Sequence, residues 1–319
     1  MTARLERSTS RAVGTMCEAA VTAGPNDGRF ARLALASARA EVAACEAALS
    51  RFDAASDLSR LNAAGGEWTA VDRRLVEALR LALRAREDTD GRFDPTVLPA
   101  LVAAGYDRSF EQLAERPARR AAGWRAGAAV EIEDEAGLVR LLEPGAAVDL
   151  GGIGKGYAAS QALDAMHDAW PMLPGGLVDL GGDLALRGDT PEHGPWRIRI
   201  ADPRRPGATA GVLVLDSGGV ATSGRDVRRF GPGGSLHHLI DPETGAPAEA
   251  GPLTVTVVAP DAAEAEAHAT ALGISSAADA AAHVAAHPRI SALYIPHEGA
   301  ALPLGALPLA QRRIVVRAA

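Results

Sequence analysis

The residues best suited to chemistry lie in a glycine-rich run, Asp149-Leu150-Gly151-Gly152-Ile153-Gly154-Lys155-Gly156-Tyr157. A short apolar strand running into glycines and then into a helix turns backbone N–H groups toward an anion. The helix start adds partial positive charge. Lys155 adds a full charge there, and it is the one lysine among 33 basic residues. GC-rich coding explains an arginine excess by itself; a compact ammonium kept at this one place is the sharper reading. A pyrophosphate fits such a cradle. Gly156 stands where a Walker A loop needs Ser or Thr, and G-x-G-x-G is not the dinucleotide spacing. A tight turn with incidental glycines is the plain alternative.

A second group is Asp261 to Thr270. Asp261 and Glu264 are placed to cap a helix. Glu266 and Thr270, four apart, share a helix face and offer a carboxylate and a hydroxyl, hard oxygens that suit Mg²⁺. The competing reading makes Glu266 a solvated surface charge and Thr270 a packed residue. In His237-His238-Leu239-Ile240-Asp241-Pro242-Glu243-Thr244-Gly245, a strand end meets a Pro/Gly turn. His238 and Asp241 are candidates for proton transfer, or a core histidine and a turn cap. Thr222, Ser223 and Gly224 can line a phosphate or flavin edge, or form a turn. Asp94-Pro95 marks another turn, with Thr96 able to cap the segment after it. His167, His193, His283, His287 and His297 show no partner pattern and are assigned to structure.

The elements that must position these residues can be read from periodicity. Residues 29–51 read as an amphipathic helix, 56–66 as a polar loop, and 71–87 as a helix with Leu75, Leu79 and Leu83 on one face. Residues 112–127 read as a surface connection. Residues 130–133 and 138–141 alternate like a hairpin. Strands are expected at 196–200, 212–215, 253–258, 291–295 and 313–316, and helices at 155–168, 261–272 and 277–286. Val-Asp-Leu-Gly-Gly occurs at 148–152 and again at 178–182, which suggests two strands that end alike. Helices first, then mixed strands and helices without βαβ alternation, favour an α+β fold. No linker divides the chain, so residues 1–319 are expected to be a single catalytic domain.

Composition sets the outer bounds. The chain has 319 residues, 47% hydrophobic and only 4% aromatic, so Ala, Leu and Val must fill the core. A net charge of −7 argues against a nucleic-acid binder. Cys17 and Cys45 are too few for a disulfide framework or a cysteine metal site and read as buried thiols. Met16 precedes Cys17 where a lipidation site needs a small residue, and no apolar signal region or ~20-residue span occurs. The expectation is a reduced, cytoplasmic protein without a membrane anchor.

Taken in order along the chain, these blocks resemble the ApbE family of FAD:protein FMN transferases. The resemblance runs from Gly14-Thr15 through Ser56 to Asn62, Asp90 to Val97, Asp149 to Tyr157, Gly181-Gly182-Asp183, Ala221 to Gly224, His238 to Gly245 and Glu266 to Thr270. It implies an α+β, T-fold-like domain with mixed or antiparallel sheets and flanking helices. It also implies that FAD, as substrate, is cleaved at its pyrophosphate with Mg²⁺ present. FMN would pass to a Thr or Ser hydroxyl of a partner protein, releasing AMP. Carried over by motif, the metal ligands would be the Gly152 carbonyl, Glu266 and Thr270. FAD would lie near Val13, Asn62, Phe93, Asp94, Lys155 and the Thr222–Gly224 turn. Lys155 would stabilise charge, and His238 or Asp241 would take the acceptor's proton. The sequence departs from the pattern at Glu266, where the family's usual Asp is one methylene shorter, and at Val13, often Met. Alternatives are an FAD pyrophosphatase, with water as acceptor, and a flavin-binding protein without catalysis.

Overall fold

The computed structural model describes residues 3–113, 119, 121, 124–225 and 229–310. Its chain begins with strands, not helices. Strand β1 (Arg4–Ala12) pairs antiparallel with β2 (Thr15–Ala23) around a tight turn at Val13-Gly14. Alternating exposure along β1 hid it from a search for apolar runs. Helix α1 (Gly28–Leu49) comes next, burying Ala31, Ala34, Leu35, Ala38, Val42 and Cys45 along one stripe.

The segment expected to be a polar loop holds a helix, α2 (Asp57–Ala63). Ser56 caps it by accepting the Ser59 N–H at 3.0 Å, and Leu58 and Leu61 are buried beneath it. After a short strand β3 (Thr69–Ala70), α3 (Arg73–Asp88) is capped by Asp72, and α4 (Leu98–Ala103) lies beyond it. The expected hairpin forms as β4 (Val130–Glu133) and β5 (Leu138–Leu141), with β3 alongside β5. The connection read over 112–127 lies partly outside the described residues, as does the strand read at 313–316.

The second half supplies α5 (Gly154–Ala169), β6 (Gly175–Leu180), β7 (Leu184–Gly188), β8 (Trp196–Ala201), β9 (Thr209–Leu215) and β10 (Ser217–Gly224). Two short pairs come next, β11 (Arg229–Phe230) with β12 (Leu236–His237), and β13 (Ile240–Asp241) with β14 (Ala246–Pro247). The chain continues through β15 (Thr254–Ala259), α6 (Ala262–Leu272), α7 (Ala277–Ala286), β16 (Ser291–Ile295) and β17 (Leu302–Leu304). The helices read at 155–168, 261–272 and 277–286 and the four strands read between 196 and 295 are all present.

An eight-stranded sheet in the order β1-β2-β6-β7-β10-β15-β16-β17 organises the molecule, with every pairing antiparallel. One face carries α1, α5, α6 and α7; the hairpin β8–β9 covers the other with Trp196, Ile200, Leu213 and Leu215. Alanine, leucine and valine dominate both cores. The α+β expectation with antiparallel sheets and flanking helices holds.

Of the two Val-Asp-Leu-Gly-Gly copies, the second ends β6, but Val148–Leu150 is not a strand. The Asn62 side chain occupies both backbone groups of Val148, accepting its N–H at 2.7 Å and donating to its carbonyl at 2.9 Å. The Asp149 N–H goes to the Pro95 carbonyl at 2.8 Å. Backbone groups consumed this way are lost to a ladder.

Candidate active site at the start of helix α5

Lys155 stands in the first turn of α5, where it meets two carboxylates, Asp183 from the β6–β7 turn and Glu266 from α6. The lysine side chain is 18% exposed, and those of Asp183 and Glu266 are 5% and 4% exposed. Glu266 is therefore no surface charge. Its Oε2 also accepts the Gly156 N–H at 2.7 Å. Part of the anion cradle read from the glycine run is thus filled by the chain's own carboxylate.

One ammonium and two carboxylates leave a formal excess of negative charge in a buried place. Burial alone disfavours the Lys155 ammonium, but Asp183 and Glu266 outweigh it and hold its pKa above the usual value. Burial pushes Glu266 up to about 7; Asp183 adds to the rise, while Lys155 and the Gly156 N–H oppose it.

Gly152 and Thr270, which only the family resemblance linked, are neighbours in the fold. The Thr270 hydroxyl donates to the Gly152 carbonyl at 3.4 Å. A Cβ at Gly152 would stand 2.8 Å from that hydroxyl and 3.1 Å from the Phe93 ring, so only glycine lets the carbonyl come this close. The turn bearing Gly152 is fixed from behind. Asp149 accepts the Gly151 N–H at 2.7 Å and pairs with the nearly buried Arg51 at 2.5 Å.

The Gly152 carbonyl and the Thr270 hydroxyl in contact, with the Glu266 carboxylate one turn away on the same helix as Thr270, are hard oxygen donors of the kind that suit a divalent cation. Among the described residues no group of three His, Cys, Asp or Glu side chains could hold a metal ion. Such a cation would thus rest on mixed backbone and side-chain oxygens.

The remaining residues singled out from sequence fall in several places. Val13 occupies the β1–β2 turn with a positive φ of 46° and donates its N–H to Glu46 of α1 at 2.8 Å. Asn62 is committed to Val148. Phe93 is buried beside Gly152. Asp94, also buried, accepts the Thr96 N–H at 2.7 Å and pairs with Arg86 at 3.0 Å. Asn62, Phe93 and Asp94 therefore build the wall behind the glycine turn.

Thr222 points elsewhere. Its hydroxyl meets that of Thr256 at 2.9 Å, on the sheet face away from α6. Alternation turns Ser223, the next residue, toward the α6 side, and Gly224 ends the strand. Asp241 accepts the Glu243 N–H at 2.9 Å and the Thr244 hydroxyl at 3.3 Å within its own turn. The His238 ring packs edge-on against Tyr106. The segment carrying both runs beside α6, because Leu239 lies against Gly273 at the end of that helix.

Two features escaped the sequence reading. Asp183 follows two glycines, and nothing local shows that its carboxylate crosses to Lys155. His283 and His287 were assigned no partner. In the fold His268 Nδ1 lies 2.9 Å from His283 Nε2, and the His283 and His287 rings stack at 4.2 Å. Burial, then the neighbouring imidazoles, lowers His268 to about 3 and His283 to about 4.

An eight-stranded antiparallel sheet carrying helices on one face, with a buried Lys–Asp–Glu cluster at a helix start, defines an α+β protein of a recognisable class. The chain belongs to the ApbE family, whose model matches residues 13–294. It is 30% identical over 234 residues to an FAD:protein FMN transferase of Klebsiella pneumoniae, covering 71% of this chain and 64% of that one. To the FAD:protein FMN transferase of Treponema pallidum it is 32% identical over 260 residues, covering 75% and 70%. The chain thus spans just under two thirds of the Klebsiella relative. The crystal structure of the ApbE protein from Thermotoga maritima matches with a TM-score of 0.83 and 30% identity over 94% of this chain and 97% of that one. The Pseudomonas stutzeri flavinyl transferase ApbE shares the fold, with a TM-score of 0.78 at 22% identity over 95% and 96%.

Proposed function

We propose that this chain is an FAD:protein FMN transferase acting as one catalytic domain over residues 1–319. It cleaves the FAD pyrophosphate and passes FMN to a Thr or Ser hydroxyl of a partner protein. The observation that carries the reading is the Lys155–Asp183–Glu266 cluster beside the Gly152 carbonyl and the Thr270 hydroxyl. The activity named for the Klebsiella and Treponema relatives supports it.

The reaction exchanges one P–O bond for another. The acceptor oxygen bonds to the FMN phosphorus, the bond to the AMP oxygen breaks, and AMP leaves with the electron pair. The acceptor's proton goes to His238 or Asp241, both on the segment beside α6. Lys155 faces the charge moving onto AMP from a low-dielectric site, where it counts for more than in water. Gly152, Glu266 and Thr270 would hold Mg²⁺, which when bound supplies Lewis-acid neutralisation of phosphate charge. FAD would lie near Val13, Phe93 and Ser223, with Asn62 and Asp94 holding the backbone behind the glycine turn in place.

Among the described residues no helix is long and apolar enough to cross a membrane. A cytoplasmic location is part of the same proposal; Cys17 and Cys45 are both free and buried.

The test is mass spectrometry after incubation with FAD, Mg²⁺ and Thr-bearing acceptor peptides. FMN ester on Thr with matching AMP is expected. Free FMN alone identifies a pyrophosphatase, and intact FAD a binding protein. Removing Mg²⁺ with a chelator should abolish turnover.

A further inference from the structure

A cleft of about 520 Å³ opens on the sheet face opposite α6. Its floor is the upper part of the main sheet, with Thr222, Thr254 and Thr256, and Glu18 and Asp179 beside them. Its wall is five consecutive residues of β8, Arg197–Ala201. A wall made of consecutive residues is a strand edge, not a row of side chains on one face.

The hydrogen bonds of β9 show which groups line that edge. Val214 donates its N–H to the Pro308 carbonyl, and the Val212 carbonyl accepts from Ala310, each at 2.8 Å. The backbone groups of Val212 and Val214 therefore point away from β8. In an antiparallel pair, opposed residues either exchange both bonds or turn both outward. Arg199 lies opposite Val212 and Arg197 opposite Val214, so their N–H and carbonyl groups point out of the free side of β8, toward the cleft. Among the described residues no strand pairs with that side. Open edges of this kind are templates for another strand.

The cleft runs toward the reaction centre. Gly182 lines it and donates its N–H to Asp179 at 2.7 Å, while the next residue, Asp183, pairs with Lys155 on the other side of the sheet. The end of β6 thus presents Asp179 to the cleft, and the turn that follows presents Asp183 to the charge cluster. A chain leaving the cleft over Gly182 arrives beside Lys155.

We propose that an extended segment of the acceptor protein docks in this cleft as a third strand on the free edge of β8. This rests on the transferase reading above. The segment pairs its backbone with Arg197 and Arg199, an edge of five residues or about 17 Å. Its inward side chains are hydrogen-bond donors, Ser, Thr or Lys, that meet the threonine floor and Asp179. Burial holds the Asp179 carboxyl above its usual range, and an incoming donor relieves that cost. The hydroxyl to be modified lies where the segment passes Gly182.

The test uses a library of short synthetic peptides, each with one fixed Thr, incubated with the chain, FAD and Mg²⁺; peptides that gain FMN become the probes. Arg199→Pro removes the outward N–H and spares the β8–β9 ladder, because an edge strand tolerates proline there. It should raise KM for the peptide about tenfold, the weight of roughly one backbone hydrogen bond to a partner, with KM for FAD unchanged. Arg199→Ala, which loses the guanidinium and its bonds to Thr209 but keeps the N–H, should raise peptide KM much less than Arg199→Pro. Equal peptide KM in Arg199→Pro and the unaltered chain overturns the docking site, as does an equal loss in Arg199→Ala. Should Arg199→Pro not fold, amide exchange decides. A probe peptide with Val in place of its Thr should slow exchange at Arg197 and Arg199 in the unaltered chain, and unchanged exchange overturns the proposal. Absence of transfer by the unaltered chain overturns the transferase reading itself, and the docking site with it.

Discussion

Lys155 and Asp183 form an ion pair across 28 residues of sequence, joining the first turn of a helix to a hairpin turn on the neighbouring sheet. The pair sets the charge of the site, because Glu266 joins the same ammonium from a third element. Removing the lysine leaves two buried carboxylates facing each other.

Lys155→Ala should lower AMP release by roughly 10²–10³-fold, the usual loss when a preorganised charge is removed from a transition state. It should also cost about 3 kcal/mol of stability, because a buried carboxylate loses its partner. Lys155→Arg should recover only part of the activity, since a planar guanidinium is bulkier than an ammonium between Gly154 and Gly156. Denaturant unfolding and AMP release measured on the same samples separate the two effects. Wild-type turnover in Lys155→Ala would return this lysine to the incidental reading.

Thr270→Ala removes one hydroxyl whose described partner is the Gly152 carbonyl at 3.4 Å. Such a long bond contributes little, so stability should fall by about 1 kcal/mol or less. Turnover at limiting Mg²⁺ should fall much further and recover partly in excess Mg²⁺. A titration of activity against Mg²⁺ that matches the unaltered chain rejects Thr270 as a ligand.

Glu266 carries a pH dependence. Its carboxyl is pushed up to about 7, so near neutrality a cation must displace a proton to bind there. Apparent Mg²⁺ affinity should therefore weaken as pH falls below about 7. The stability sign runs the other way. A carboxyl raised above its unfolded value stabilises the fold below about 4.5, and that contribution is lost as pH rises through about 7. Glu266→Gln should remove this decline while abolishing the metal dependence. Glu266→Asp, shorter by roughly 1.5 Å, should loosen the bond to the Gly156 N–H. Calorimetry with Mg²⁺ at several pH values checks the first point, and urea midpoints over the same range check the second. An unchanged metal dependence in Glu266→Gln shows that this carboxylate serves only Lys155 and Gly156.

His268 and His283 should govern the acid limb of stability. Their folded values, about 3 and about 4, lie below the ordinary histidine value. A depressed folded pKa stabilises above about 6.5 and loses that contribution as pH falls toward the folded value. His287 and Arg92 add to the depression of His283, while Asp90 and Asp88 oppose it. Unfolding midpoints should drop steeply from about pH 6.5 to 4, and a His268→Met, His283→Leu variant should flatten that drop. The same steep limb in the variant assigns acid lability to the carboxylate pairs instead.

Local information determined the longer helices, though not α2 or α4. Leu75 and Leu79 fall on one stripe at a period the chain itself sets, and Asp261 caps α6 by accepting the Ala263 N–H two residues on. The placing of Glu266 and Thr270 on one face also comes from 3.6 residues per turn, and the order of the motifs marked the family. Other features needed the whole fold. Whether Glu266 lies in water or in the core depends on Lys155, 111 residues away. Val148–Leu150 reads as a strand until Asn62, 86 residues back, takes its backbone groups. Thr222 and Ser223 are alike in sequence, yet alternation sends one hydroxyl toward Thr256 and turns the other to the α6 side. His268, His283 and His287 became partners only when α6 and α7 packed together. In each case the deciding contact joins residues distant in the chain, and burial then sets the strength of the charges it brings together.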